Sequence, residues 1–145
     1  MRIVITSKGH KLLYLPEDSY INENSRIKKL ENSEQAKKNV GEAAAALIKS
    51  GMTVGLGTGS TSSAFITALA ARCVEGLNIK CVASSKASHA LAQSLSIPLI
   101  DISTVNRLDI TVDGADEIDD EKNMIKGGGG ALMREKILAA MSDEM

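Results

Sequence analysis

The sequence predicts an α/β fold, and three observations lead there. Short apolar runs alternate with amphipathic stretches at the interval of βαβ units. Two glycine-rich turns, Gly57–Thr61 and Gly127–Gly130, each lead from an apolar run into a helical pattern. The segment Asp113-Gly114-Ala115-Asp116 directly follows another apolar run. Alternation of this kind indicates a parallel sheet with helices packed on it, a Rossmann-like three-layer core. In such sheets ligands bind at the carboxyl ends of the strands.

The elements follow in order. Asn32 can cap a first helix, with Gln35 as its capping-box partner, and Ala36, Val40, Ala43, Leu47 and Ile48 then share one face. Gly51 ends that helix. Thr53–Leu56 reads as a short buried strand, and Phe65, Ile66 and Leu69 mark the helix beyond the first glycine turn. Ile79–Ala83 reads as strand, Lys86–Leu95 as helix, Pro98–Ile102 as strand, and Leu108–Val112 as strand. A last helix spans Ala131–Met141. Composition shifts near residue 32, so residues 1–31 read as an N-terminal extension of unknown role and residues 32–145 as the α/β domain.

Composition narrows the function classes. The 145 residues suffice for one domain with a core and are too few for two ordinary ones. Charge is nearly balanced at a formal -1, and aromatics are only 2%, so neither a nucleic-acid surface nor a base-stacking platform is expected. No stretch is apolar enough to span a bilayer. The N-terminus is basic at Arg2, Lys8 and Lys11, but its apolar run Leu12–Leu15 is too short for a signal-peptide core, and Glu17, Asp18 and Glu23 do not fit an acid-poor transit peptide. The expected location is cytoplasmic. Cys73 and Cys81 have neither C-x-x-C nor zinc-ligand spacing and read as incidental thiols of a reducing compartment; His10 and His89 sit in no ligand pattern.

Gly55-Leu56-Gly57-Thr58-Gly59-Ser60-Thr61 places glycines and hydroxyls at a helix N-terminus, an arrangement suited to phosphate. It lacks the lysine of a Walker A loop, and Ser60 stands where a dinucleotide fingerprint needs its last glycine. Two readings stay open: a binder of a phosphate monoester, or a turn whose hydroxyls cap a helix. Asp113 and Asp116 can handle sugar hydroxyls, and their repulsion can raise one pKa for proton transfer; the alternative is an acidic loop capping its own backbone. No third carboxylate or histidine has ligand spacing beside them, so no metal is expected. Lys126, fixed before four glycines, can stabilise a developing negative oxygen. Glu135 lies between Arg134 and Lys136, and local sequence alone reads it as a surface residue.

Taken together, Gly57-Thr58-Gly59-Ser60-Thr61, Ala83-Ser84-Ser85-Lys86-Ala87-Ser88, Val112-Asp113-Gly114-Ala115-Asp116-Glu117 and Lys126-Gly127-Gly128-Gly129 followed by Arg134-Glu135-Lys136 resemble the type A ribose-5-phosphate isomerase family. The resemblance runs from about Lys37 to Ala140, with the motifs in order. It implies interconversion of ribose 5-phosphate and ribulose 5-phosphate through an enediolate, with no metal or organic cofactor, in a family of homo-oligomers. It also implies roles. Glu135 would be the base moving a proton between C1 and C2. Lys126 and Asp116 would act at the reacting oxygens, and Asp113 in ring opening. Thr58, Gly59, Ser60 and Thr61 would bind substrate, as would Asp113, Gly114, Ala115 and Asp116 and, in the second loop, Lys126, Gly127, Gly128 and Gly129.

The resemblance further implies that this chain covers the N-terminal catalytic half and stops before the family's C-terminal α+β subdomain. A substrate-binding lysine beyond the next strand has no counterpart here. The sheet is then expected to keep an open, apolar edge after the last helix. The rival expectations are a sugar-phosphate sensor and a non-catalytic remnant. Residues 1–31 do not read as the helix-turn-helix that usually accompanies such sensors.

Overall fold

The computed structural model describes residues 23–121 and 123–145, with side chains from Ser33 onward. Residues 1–22, including His10 and most of the predicted extension, lie outside the described residues. In order, the elements are α1 (Glu23–Ala46), β1 (Thr53–Leu56), α2 (Ser60–Val74), β2 (Lys80–Ala83), α3 (Lys86–Ser94), a 3-10 turn (Ile102–Thr104), β3 (Leu108–Val112), β4 (Glu117–Ile118), β5 (Met124–Ile125), α4 (Leu132–Met141) and β6 (Ser142–Glu144).

Four strands form one sheet in the order β2-β1-β3-β6, and β1 pairs in parallel with both neighbours. Strand alternation sorts the side chains into two faces. Val54, Leu56, Cys81, Ile110 and Val112 meet Ile48 just beyond α1, Phe65, Ile66 and Leu69 of α2 and Ala92 of α3 in the main core. On the opposite face Val82 packs with Leu138 of α4 in a smaller cluster, which Leu108 at the start of β3 joins. The result is the predicted three layers. From β1 the chain moves to β2 on one side and then returns to β3 on the other. That reversal is a topological switch point, and it opens a crevice between the carboxyl ends of β1 and β3. The loops leaving those two ends are the first glycine turn and the Asp113–Asp116 segment.

Four expectations are corrected. First, α1 begins at Glu23, so Asn32 lies inside the helix and does not cap it. Second, the buried positions of α1 are Gly41, Ala44 and Ala45, while Ala43 is exposed; the helix ends at Ala46 rather than at Gly51, and beyond it Ile48 is buried as expected and Leu47 is 45% exposed. The reason is Gly41: a Cβ there would stand 2.6 Å from the carbonyl carbon of Ala64. The two helix backbones approach too closely for large side chains, so the small residues face inward. Third, Pro98–Ile102 reduces to a single bridge, Cys81 to Leu99, followed by the 3-10 turn. It lies at the sheet margin beside β2 alone, and Pro98 has no N–H to extend a ladder. Fourth, the sheet does not end at β3, because Leu108 pairs with Ser142 and Ile110 with Glu144 in parallel register. The outer strand, Ser-Asp-Glu, is polar rather than apolar.

Candidate active site

The first loop is shaped around one carboxylate. The Gly57 N–H donates to Val112 O at 2.9 Å, which locks the end of β1 to the end of β3. Asp113 follows directly, and its Oδ1 accepts from the Thr58 N–H at 3.0 Å, the Gly114 N–H at 2.8 Å and the Ser62 hydroxyl at 3.2 Å. Glycine is required at position 57, where a Cβ would sit 2.2 Å from Asp113 Oδ1. Gly59, at φ 93°, stands at the start of α2 with no side-chain cap. A helix start without a side-chain cap is an arrangement suited to an anion. Thr61 lies in that turn at 3% exposure, and its hydroxyl has no hydrogen-bond partner among the described residues.

The serine turn after β2 supports this loop from behind. Ser84 Oγ lies 2.7 Å from Thr58 Oγ1, the Ser88 hydroxyl donates to Gly57 O, and Ser85 Oγ caps α3 by accepting from the Ser88 N–H at 3.1 Å. In the sequence this turn belongs to the family resemblance but has no visible link to the site, because β2 and β1 meet only in the fold.

The second half of the site comes from a hairpin. The strands β4 and β5 pair antiparallel, Glu117 with Ile125 and Ile118 with Met124, so the chain returns beside Asp116 ten residues later at Lys126. The Asp116 N–H donates to Ile125 O at 2.8 Å, and Asp116 Oδ2 accepts from the Gly128 N–H at 2.8 Å. A Cβ on Gly128 would meet Asp116 Oδ1 at 2.9 Å, so the backbone of the second loop closes directly on that carboxylate.

Lys126 then reaches inward. Its Nζ donates to Gly114 O and stands 3.0 Å from Asp113 Oδ2 and 3.4 Å from Glu135 Oε2. Asp113 is 6% exposed and Glu135 4%. Neither of those outer oxygens makes a hydrogen bond, so the ammonium is their only close compensation among the described residues. Burial raises the pKa of Glu135, the charge of Asp113 raises it further, and Lys126 opposes both. The sequence reading assigned mutual repulsion to Asp113 and Asp116. In the fold Asp113 is buried while Asp116 is exposed, and Asp116 is the smallest contributor to the shift at Glu135. The local reading of Glu135 as a surface residue is corrected: Glu135 and Leu138 are the buried positions of α4.

Thr58, Gly59, Thr61, Gly114, Ala115, Asp116, Lys126, Gly127, Gly128, Gly129 and Glu135 line a common crevice. Ser60 is exposed and outside that lining, and Asp113 is buried behind Lys126. The cysteines stand apart from it: Cys81 is buried beneath the sheet, with its thiol pushed up to about 12 by that burial. His89 is exposed on α3. Among the described residues no group of three or more His, Cys, Asp or Glu side chains is arranged to hold a metal ion.

Residues 80–145 match the family model of ribose 5-phosphate isomerase A (phosphoriboisomerase A). Ribose-5-phosphate isomerase A of Bacillus mycoides is 53% identical over 105 residues, which cover 72% of this chain and 48% of that protein. The Chlamydia felis protein of the same name is 58% identical over 107 residues, 73% of this chain and 46% of the relative. The chain belongs to the ribose-5-phosphate isomerase A family.

Solved structures of the family agree with the fold. The ribose 5-phosphate isomerase of Plasmodium falciparum superposes with a TM-score of 0.73 at 39% identity, over 76% of this chain and 48% of that one. A D-ribose-5-phosphate isomerase in complex with phospho-erythronic acid also gives a TM-score of 0.73 at 39% identity, over 75% and 48% of the two chains. The chain thus spans about half the length of the isomerases it matches. Among the described residues no helix is long and apolar enough to cross a membrane.

Proposed function

We propose that this chain carries the chemistry of an aldose–ketose isomerase that interconverts ribose 5-phosphate and ribulose 5-phosphate through an enediolate, in the non-oxidative pentose phosphate pathway. The observation that carries the reading is the buried row Asp113–Lys126–Glu135, set behind a crevice whose other wall is an uncapped helix N-terminus. An enediolate needs a carboxylate base, a nearby cation and donors for its oxygens. Glu135 serves as the base, taking the proton from C2 of the open-chain aldose and returning it to C1. The electrons released form the C1–C2 double bond, and negative charge moves onto the carbonyl oxygen. Lys126 and Asp116 act at the two oxygens, Lys126 by offsetting the charge, while the hydroxyl proton leaves O2 and is taken up at O1. Asp113, its Oδ1 held by three donors and its Oδ2 facing Lys126, acts in opening the sugar ring. Thr58 to Thr61 hold the phosphate at the N-terminus of α2, and Gly127 to Gly129 close over the sugar. The reading needs no cofactor, and it places the protein in the cytoplasm as a homo-oligomer.

Exchange in deuterated water tests it. Ribose 5-phosphate incubated with the protein should gain deuterium at C2 in the aldose or C1 in the ketose. Glu135→Gln should bind the same sugar phosphate and exchange none. Exchange at the wild-type rate in Glu135→Gln would place the base elsewhere. Binding without exchange in the wild-type chain would favour a sugar-phosphate sensor or a non-catalytic remnant.

A further inference from the structure

We propose that Ser84 is a positioning residue of this site, orienting the Thr58 hydroxyl so that it donates its proton to an oxygen of the phosphorylated sugar. The inference rests on the pentose-phosphate reading of the crevice given above. Ser84 is 1% exposed, and its N–H donates to Leu56 O at 2.9 Å, which pins it to the end of β1. Its hydroxyl lies 2.7 Å from Thr58 Oγ1, the one hydrogen bond it makes among the described residues. A hydroxyl has a single proton and two lone pairs. If Thr58 were the donor, the Ser84 proton would be buried without an acceptor, which is costly. Ser84 is therefore the donor, and the Thr58 proton is left to point elsewhere.

Elsewhere is the crevice, which Thr58 lines. Its main chain cannot swing away, because its N–H donates to Asp113 Oδ1 at 3.0 Å. Its methyl carbon faces Gly129 of the second loop, 3.7 Å from where a Cβ there would stand. The division of labour in the serine turn is then clear. Ser88 holds the backbone of the loop through Gly57 O, whereas Ser84 sets the direction of one hydroxyl.

A double-mutant cycle on the full chain tests this, with ribose 5-phosphate affinity measured by calorimetry and melting followed in parallel. Ser84→Ala should weaken binding about 5- to 10-fold, the factor for one neutral hydrogen bond. In a Thr58→Val background the same change should weaken it less than about 2-fold. The melting shifts should differ, because Thr58→Val already strands the Ser84 proton and Ser84→Ala then removes an unpaired donor, so the affinities carry the test. Ser84→Cys keeps the shape with a somewhat larger atom that donates weakly, so it should lose affinity while staying folded, and it stands in if Ser84→Ala folds poorly. Equal losses in both backgrounds, or wild-type affinity in Ser84→Cys, would overturn the assignment while leaving the isomerase reading intact. A wild-type chain that does not bind ribose 5-phosphate would overturn both.

Discussion

Asp113 and Glu135 are both carboxylates, both buried, and both face Lys126, yet their surroundings differ. Asp113 accepts three donors on one oxygen, while burial dominates at Glu135 and keeps its proton bound above the ordinary glutamate value. The raised pKa fixes a sign. A group that binds its proton more tightly when folded contributes stability fully below its unfolded pKa, and that contribution disappears as pH rises through the folded value. At neutral pH the charged Glu135 therefore costs stability. Glu135→Gln should melt higher at pH 7, by on the order of 1 kcal/mol or roughly 3–6 °C, with the gain vanishing toward pH 4. A calorimetric pH series checks this, and a mutant that melts lower at pH 7 would mean that the Lys126 ion pair outweighs the burial. The acid limb of the wild-type rate should likewise titrate above the ordinary glutamate range. None of this is visible around Glu135 in the sequence, where Arg134 and Lys136 suggest solvent. Its burial is set by sharing a helix face with Leu138, and only the motif resemblance marked it beforehand.

Between elements, glycine and arginine decide how α1 meets α2. Gly41 allows the close approach to Ala64, and Arg72 near the end of α2 donates to Ala45 O in the last turn of α1 and to Ile48 O just beyond it at 2.7 Å. Arg72→Met keeps the length of the stem but removes those donors. It should destabilise the chain by about 1.5–3 kcal/mol, the value of hydrogen bonds to a charged group, and leave sugar-phosphate affinity unchanged, as read by urea melts alongside calorimetry. A loss below about 0.5 kcal/mol would show that water replaces the guanidinium without penalty. At this scale the sequence was readable where apolar runs and glycines alternate, which covers β1, β2, β3, α2, α3 and α4. It was unreadable where elements are too short or too small to leave a period. The two-residue strands β4 and β5 have no periodicity, yet they bring Lys126 back to Asp116. Ser142–Glu144 is polar and becomes a strand through pairing with β3 alone. The Ala and Gly face of α1 gives a weak amphipathic signal, and the larger Leu47 drew the expected face to the wrong side.

For the molecule as a whole, the site has a dry wall and a wet one. Behind the first loop lies the main core. Beyond Lys126 and Glu135 lies a groove lined by Met124, Ile125, Leu132, Ala139 and Met145, which shares both catalytic candidates with the crevice. Ile125 is 60% exposed, and Met133 and Ile137 on α4 are 79% and 43% exposed. Exposed apolar surface of this kind marks a contact that is not yet made. The isomerases that match this chain are about twice its length, so they have further residues available to cover such a groove. Placement of a catalytic carboxylate to within about 0.5 Å needs support on all sides. A helix packed on one face only holds Glu135 less tightly. The 145-residue polypeptide by itself is therefore expected to turn over ribose 5-phosphate weakly and to self-associate. Adding the portion of the Bacillus mycoides relative that lies outside the matched 105 residues, as a separate chain or a fusion, should raise turnover at least about 10-fold, equivalent to about 1.4 kcal/mol of barrier, and yield a single species on sizing chromatography. A monodisperse 145-residue protein with the full activity of the relative would show that the exposed wall needs no cover, and that β6 and α4 hold Glu135 without further support.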